Sequence, residues 1–104
     1  MDLAQRAQAV RAGAVAALTE LADGASLCTI ARSGTAFPGG KYHEGRAFVA
    51  GEVLRALRVG RSGPDALTAA RQRWELVAPP GRTADAEWAA YREGGLDALA
   101  ELTG

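Results

Sequence analysis

The chain has one cysteine, Cys28, one lysine, Lys41, and one histidine, His43, in 104 residues. A lone cysteine closes no internal disulfide, so the fold has no covalent staple within itself. A metal site would need at least one further protein ligand from the carboxylates, and none of them stands at a recognisable spacing, so no metal and no other cofactor is expected. Neither sign of charge prevails: 12 basic residues against 12 acidic ones leave a formal net charge of +0. That balance removes the global field that would argue for nucleic acid or an anionic membrane. No signal-like segment and no apolar run of spanning length is present, so no membrane partner is expected and the cytoplasm is the expected location. Aromatic residues make up only 6% of the chain, which limits how large a core it can build.

What the sequence does have is alanine, arginine and glycine arranged at helical intervals. A chain of this length is read as one helical domain, residues 1–104, with a modest core to which self-association would add stability. The alanine content favours helix and close approach between helices. Eleven arginines against one lysine look like the coding bias of a GC-rich bacterial or phage genome. Charge is also segregated: residues 25–61 carry six basic and two acidic side chains, residues 62–104 four and seven. Opposite signs in successive segments predict complementary packing, within the chain or head to tail between copies.

The periodicity predicts an all-α fold, a compact bundle of four main helices. Asp2 is placed to cap the first, whose stripe of Leu3, Ala7, Val10, Ala14, Leu18 and Leu21 runs to about Ala22 and stops at Asp23-Gly24. Residues 26–32 read equally as a short strand or a short helix; a helix or irregular turn is preferred because no second strand exists to pair with it. The longest amphipathic run follows Gly40, with Tyr42, Gly45, Val49, Val53, Ala56 and Leu57 on one face, widened by Ala50 and Leu54. Val59-Gly60 ends it, and Ser62 with Asp65 three residues on caps the next, whose core spacing is Leu67, Ala70, Trp74 and Val77. Ala78-Pro79-Pro80-Gly81 terminates that helix, and Thr83 caps a last one. There Trp88, Tyr91, Gly95, Leu99 and Leu102 lie on one side, with Glu93, Asp97 and Glu101 on the other. Tyr91-Arg92-Glu93-Gly94 echoes Tyr42-His43-Glu44-Gly45, but four residues are too few to define a repeat; the shared feature is a tyrosine over a glycine notch.

Two groups of residues are candidates for binding, both around the central run. Phe48 projects among Glu44, Gly51, Arg55 and Arg58, which read as solvated, so Phe48, Glu44, Arg55 and Arg58 form a candidate partner patch unless another helix covers the ring. Gly39, Gly40 and Lys41 before a helix start, with His43 and Arg46 close behind, offer free N–H groups, a positive dipole end and cations, a set suited to an anion. The plainer reading has the glycines making a turn and Arg46 pairing with an acidic residue of a neighbouring helix. An enzyme would draw on Cys28, His43 and Glu44, perhaps with Glu52, but a cysteine within Leu27-Cys28-Thr29-Ile30 reads as a small buried apolar residue, and no catalytic residue is assigned. Arg32, Lys41, Arg55, Arg58 and Arg61 could make a basic patch, yet no polar recognition helix follows a tight turn, so nucleic acid is not expected.

The Glu44-Gly45-Arg46 helix with its leucine-bearing stripe resembles that of some small accessory proteins of tailed-phage virions, over this one segment. The resemblance implies no chemistry, and it makes the virion an alternative location. The resulting expectation is a non-catalytic interaction or assembly module that binds a protein partner or itself as a homo-oligomer. If Cys28 is an apolar core residue, a thiol reagent should label it only when the chain is unfolded. Rapid labelling of the native protein would instead favour an accessible, reactive cysteine.

Overall fold

The computed structural model describes residues 2–24, 38–77 and 86–104. They form four helices and no strand: α1, Leu3–Gly24; α2, Pro38–Arg58; α3, Gly63–Val77; and α4, Ala86–Thr103. The all-α expectation is met. The ambiguous element at 26–32, the Pro79-Pro80 terminator and the Thr83 cap lie outside the described residues.

Each helix boundary within the described residues follows from local chemistry. At the start of α1 the Gln5 N–H donates to Asp2 Oδ1 at 2.8 Å, and the Asp2 N–H donates back to Gln5 Oε1 at 3.0 Å. This reciprocal pair satisfies two donors at the helix start, a capping box in which Gln5 takes the place usually held by glutamate. α2 begins at Pro38, ahead of the start expected after Gly40, because proline's fixed φ suits a first helical turn. It ends on Gly60, whose φ is 95°, with Gly60 N–H donating to the Leu57 carbonyl and Arg61 N–H to the Ala56 carbonyl, both at 3.1 Å. That pair of bonds is a Schellman closure, and it needs a residue that tolerates the left-handed region. Two residues later the Ser62 hydroxyl accepts from the Asp65 N–H at 3.3 Å and opens α3.

α2 is the hub. It packs against α1, α3 and α4, whereas contacts among those three are slight. Val49, Ala50 and Val53 are therefore all fully buried, as are Ala7 of α1, Ala66 and Trp74 of α3, and Ala98 and Leu102 of α4. Removing each of the larger aliphatic side chains from water contributes about 1.5–3 kcal/mol. Phe48 is not a surplus ring. It is half-buried against the core, its centroid 5.7 Å from that of Trp74, because a helix with neighbours on several sides has more than one buried face. Trp74 in turn lies 4.9 Å from the Tyr91 ring. Its indole N–H finds no acceptor among the described residues, a cost of about 1–3 kcal/mol that the ring packing must offset.

α2 and α4 approach each other backbone to backbone. A Cβ built on Gly45 would collide with the Tyr91 main-chain carbonyl and reach within 3.0 Å of the Gly95 nitrogen; one built on Gly94 would collide with the Tyr42 carbonyl. The two echoing tetrapeptides thus meet each other. The tyrosine of each lays its main-chain carbonyl against the glycine of the other. The notch therefore receives backbone from the opposite helix, and not the tyrosine ring of its own. Gly95 does a related job one residue on, since a side chain there would strike the Trp74 ring.

Gly45→Ala and Gly94→Ala should each destabilise the fold by about 2–3 kcal/mol or more, since backbone cannot move aside as a side-chain tip can. At Gly13 and Gly51 an added Cβ would have nothing within 4 Å, and both take helical φ, so alanine there should stabilise by about 0.4–1 kcal/mol. Chemical denaturation of the four variants checks both halves.

Candidate functional site

The residues singled out for an anion sit on the first turns of α2, and both Lys41 and Arg46 already have a carboxylate. Gly39 and Gly40 lie in the first turn of α2, and Gly40 is buried. Lys41 Nζ stands 3.0 Å from Glu44 Oε2, both side chains nearly half exposed. This hydrogen bond and the carboxylate's field raise the Lys41 pKa above its ordinary value. Arg46 reaches from α2 to α4, where its Nη2 donates to Glu101 Oε2 at 2.6 Å. This is the interhelical pairing that the plainer reading anticipates. Burial works to lower the Arg46 pKa, but the bond to Glu101 and that carboxylate's charge outweigh it, and the pKa is raised overall.

A second polar bridge runs beside the first. The Tyr42 hydroxyl donates to Asp97 Oδ2 at 2.6 Å, and the Arg46 guanidinium lies 5.9 Å from the centre of the Tyr42 ring. Tyr42 pairs with Asp97 and Arg46 with Glu101, so the pairing advances in the same direction on both helices, and α2 and α4 run parallel here. Asp97 and Glu101, expected to face away, are turned to use by the long side chains of α2. Beside this ladder His43 packs edge-on to Tyr42 at 5.4 Å, and its Nδ1 is buried without a hydrogen-bond partner among the described residues.

The candidate partner patch is divided by the fold. Glu44 faces an open surface along α1 together with the half-buried Phe48, and Arg58 lines the same side nearer the other end of α2. Arg55 turns instead toward α3, where it is held by Glu52 at 2.9 Å. On the α1 side, a shallow trough follows the seam between α1 and α2. One half is lined by Ala4, Ala12, Val15, Leu54 and Leu57, and it continues past Val15 to Leu18, Ala47 and Phe48. Sequence reasoning does not find Val15 or Arg11, which belong to the polar side of a one-stripe wheel, because the trough exists only where α1 leaves part of α2 uncovered.

For an enzyme, the set Cys28, His43 and Glu44 is only partly within view: Cys28 lies outside the described residues, and Glu44 is engaged by Lys41. Among the described residues no three of His, Cys, Asp and Glu converge as metal ligands, and no helix is long and apolar enough to cross a membrane. No protein-family model, curated protein or solved structure matches this chain.

Hydrogen bonding to Asp97 is the largest influence raising the Tyr42 pKa above 10.0, and burial is the largest influence raising that of Tyr91. A phenol whose folded pKa is raised holds its proton more tightly in the native state. Its contribution to stability is present below the ordinary value and is lost as pH rises through the folded one. Ultraviolet titration should therefore show both tyrosines ionising above about pH 10. Tyr42→Phe should flatten the loss of stability on the alkaline side, measured by denaturation from about pH 9 upward.

Proposed function

We propose that the chain is a non-catalytic interaction module whose partner is a second copy of itself. One observation carries this reading: the apolar trough along α1 and α2, in whose middle Val15 leaves 48% of its surface in water. Among the described residues α1 packs chiefly against α2, and no other helix covers its opposite side. The ends of the trough differ in sign. Arg58 lines the half near Ala4, Glu44 and Glu52 line the half near Leu18, where Lys41 and Arg55 of the same helix already hold them, and Arg11 lines both halves beside Val15. A two-fold axis through Val15 would set the basic end of one copy against the acidic end of the other and cover both valines, which is the arrangement a self-complementary interface needs.

The segregated charge along the sequence supports this reading only in part, since the Arg46–Glu101 bridge already uses it within one chain. A module of this kind suits a small assembly protein, and it is compatible with the phage-virion accessory proteins that α2 resembles and with the bacterial or phage origin that the arginine bias suggests.

Sedimentation velocity at micromolar concentration should show a reversible dimer. Val15→Glu, which places a charge at the dimer axis but on a surface position of the monomer, should weaken association at least about tenfold while leaving monomer stability nearly unchanged. Arg11→Glu should weaken it as well, and higher salt should mimic that loss. Phe48→Ala is a poorer probe, because loss of its packing on Trp74 would lower monomer stability too. A strict monomer at all concentrations overturns the proposal.

A further inference from the structure

Away from the trough, the C-terminal end of α2 and the flank of α3 enclose a cleft of 360 Å³. Arginines from three parts of the chain line it: Arg55 from α2, Arg61 from the turn that follows, and Arg73 from α3. Between them the wall is apolar, with Ala69 partly covered and Val59 standing 72% exposed at the rim. The only carboxylate among the lining residues is Glu52, and Arg55 holds it at 2.9 Å. Arg61 and Arg73 have no ion pair among the described residues.

Ordinary helix electrostatics account for part of this set. Arg55 lies in the last turn of α2, where a cation complements the carbonyl end of the helix. Arg73 has no such role, since α3 carries no basic residue in its last turn. Two guanidinium groups with no ion pair among the described residues, and a third that is only locally neutralised, face one hollow, and an anion seated among them would relieve their mutual repulsion. A guanidinium presents its N–H donors as a planar fork matched to the spacing of oxygens on a tetrahedral oxyanion.

We propose that this cleft binds the phosphate group of a small phosphorylated molecule, with Arg61 and Arg73 as the two forks and the Val59–Ala69 wall receiving the apolar part next to it. A small ligand fits better than a polynucleotide. The chain's formal net charge is +0, and the arginines converge on a hollow and do not follow an extended track. The cleft shares Glu52 with the edge of the trough, but neither Arg61 nor Arg73 lines the trough.

The test is thermal unfolding and calorimetric titration of the full chain with inorganic phosphate and with phenyl phosphate, against sodium chloride at matched ionic strength. Both phosphates should raise the unfolding temperature saturably, as any ligand selective for the native state does, and phenyl phosphate should bind more tightly because its ring meets the apolar wall. Arg61→Gln and Arg73→Gln should each weaken binding about tenfold or more. Arg71→Gln, an exposed α3 arginine outside the cleft, should leave it unchanged. The proposal is overturned if phosphate does no more than chloride, if binding survives in the Arg61→Gln/Arg73→Gln double variant, or if only a single-stranded oligonucleotide binds, with affinity falling steeply in salt.

Discussion

The contact on which this fold depends is one of main chain on main chain. Gly45 and Gly94 let α2 and α4 come so close that the carbonyl of a tyrosine on each fills the space where the other's side chain would begin. The consequences spread outward from that point. Because the helices nearly touch, Tyr42 and Arg46 are within reach of Asp97 and Glu101, and the Trp74 ring settles over Gly95 between Phe48 and Tyr91. A larger residue at either notch would separate the axes, and the polar bridges and the aromatic stack would lose their spacing together.

The same geometry decides what remains for function. Near the start of α2, where the sequence offers polar groups to a ligand, Tyr42 and Arg46 are committed to holding α4, and Lys41 is paired with Glu44 on its own helix. Among the described residues, two open surfaces lie where α2, as hub, leaves room between its neighbours. One is the oppositely charged trough beside α1, and the other is the arginine-lined cleft beside α3. Both lie at seams between helices, where neither element alone has the shape of a site.

Local chemistry made much of this legible. Asp2, Ser62 and Gly60 mark boundaries because a cap and a left-handed closure are written within a few residues, and the Arg46 pairing follows from a cation placed on an apolar face. What was not legible depended on the number of neighbours. A helical wheel with one buried stripe put Phe48 outside, but α2 has three partners and Trp74 lies over that ring. The Tyr-x-x-Gly echo was visible as a pattern and not as a contact, since nothing in either tetrapeptide says that it faces the other. Arg73 joins Arg61 only through the angle at which the Gly60 turn sends α3 back along α2, and residue spacing carries no trace of that angle.

The topology of the close crossing also bears on how the chain reaches it. α1 and α3 adjoin α2 in sequence and can dock on it as hairpin partners, but the bridges from α2 to α4 each span 55 residues. Closing that loop carries the larger entropic cost, and it leads to the one interface that tolerates no looseness, so a native contact made there has little partial value until it is complete. Contacts of that sequence separation raise the contact order of the fold, so the α2–α4 crossing is the part of the structure that weighs most on its folding rate.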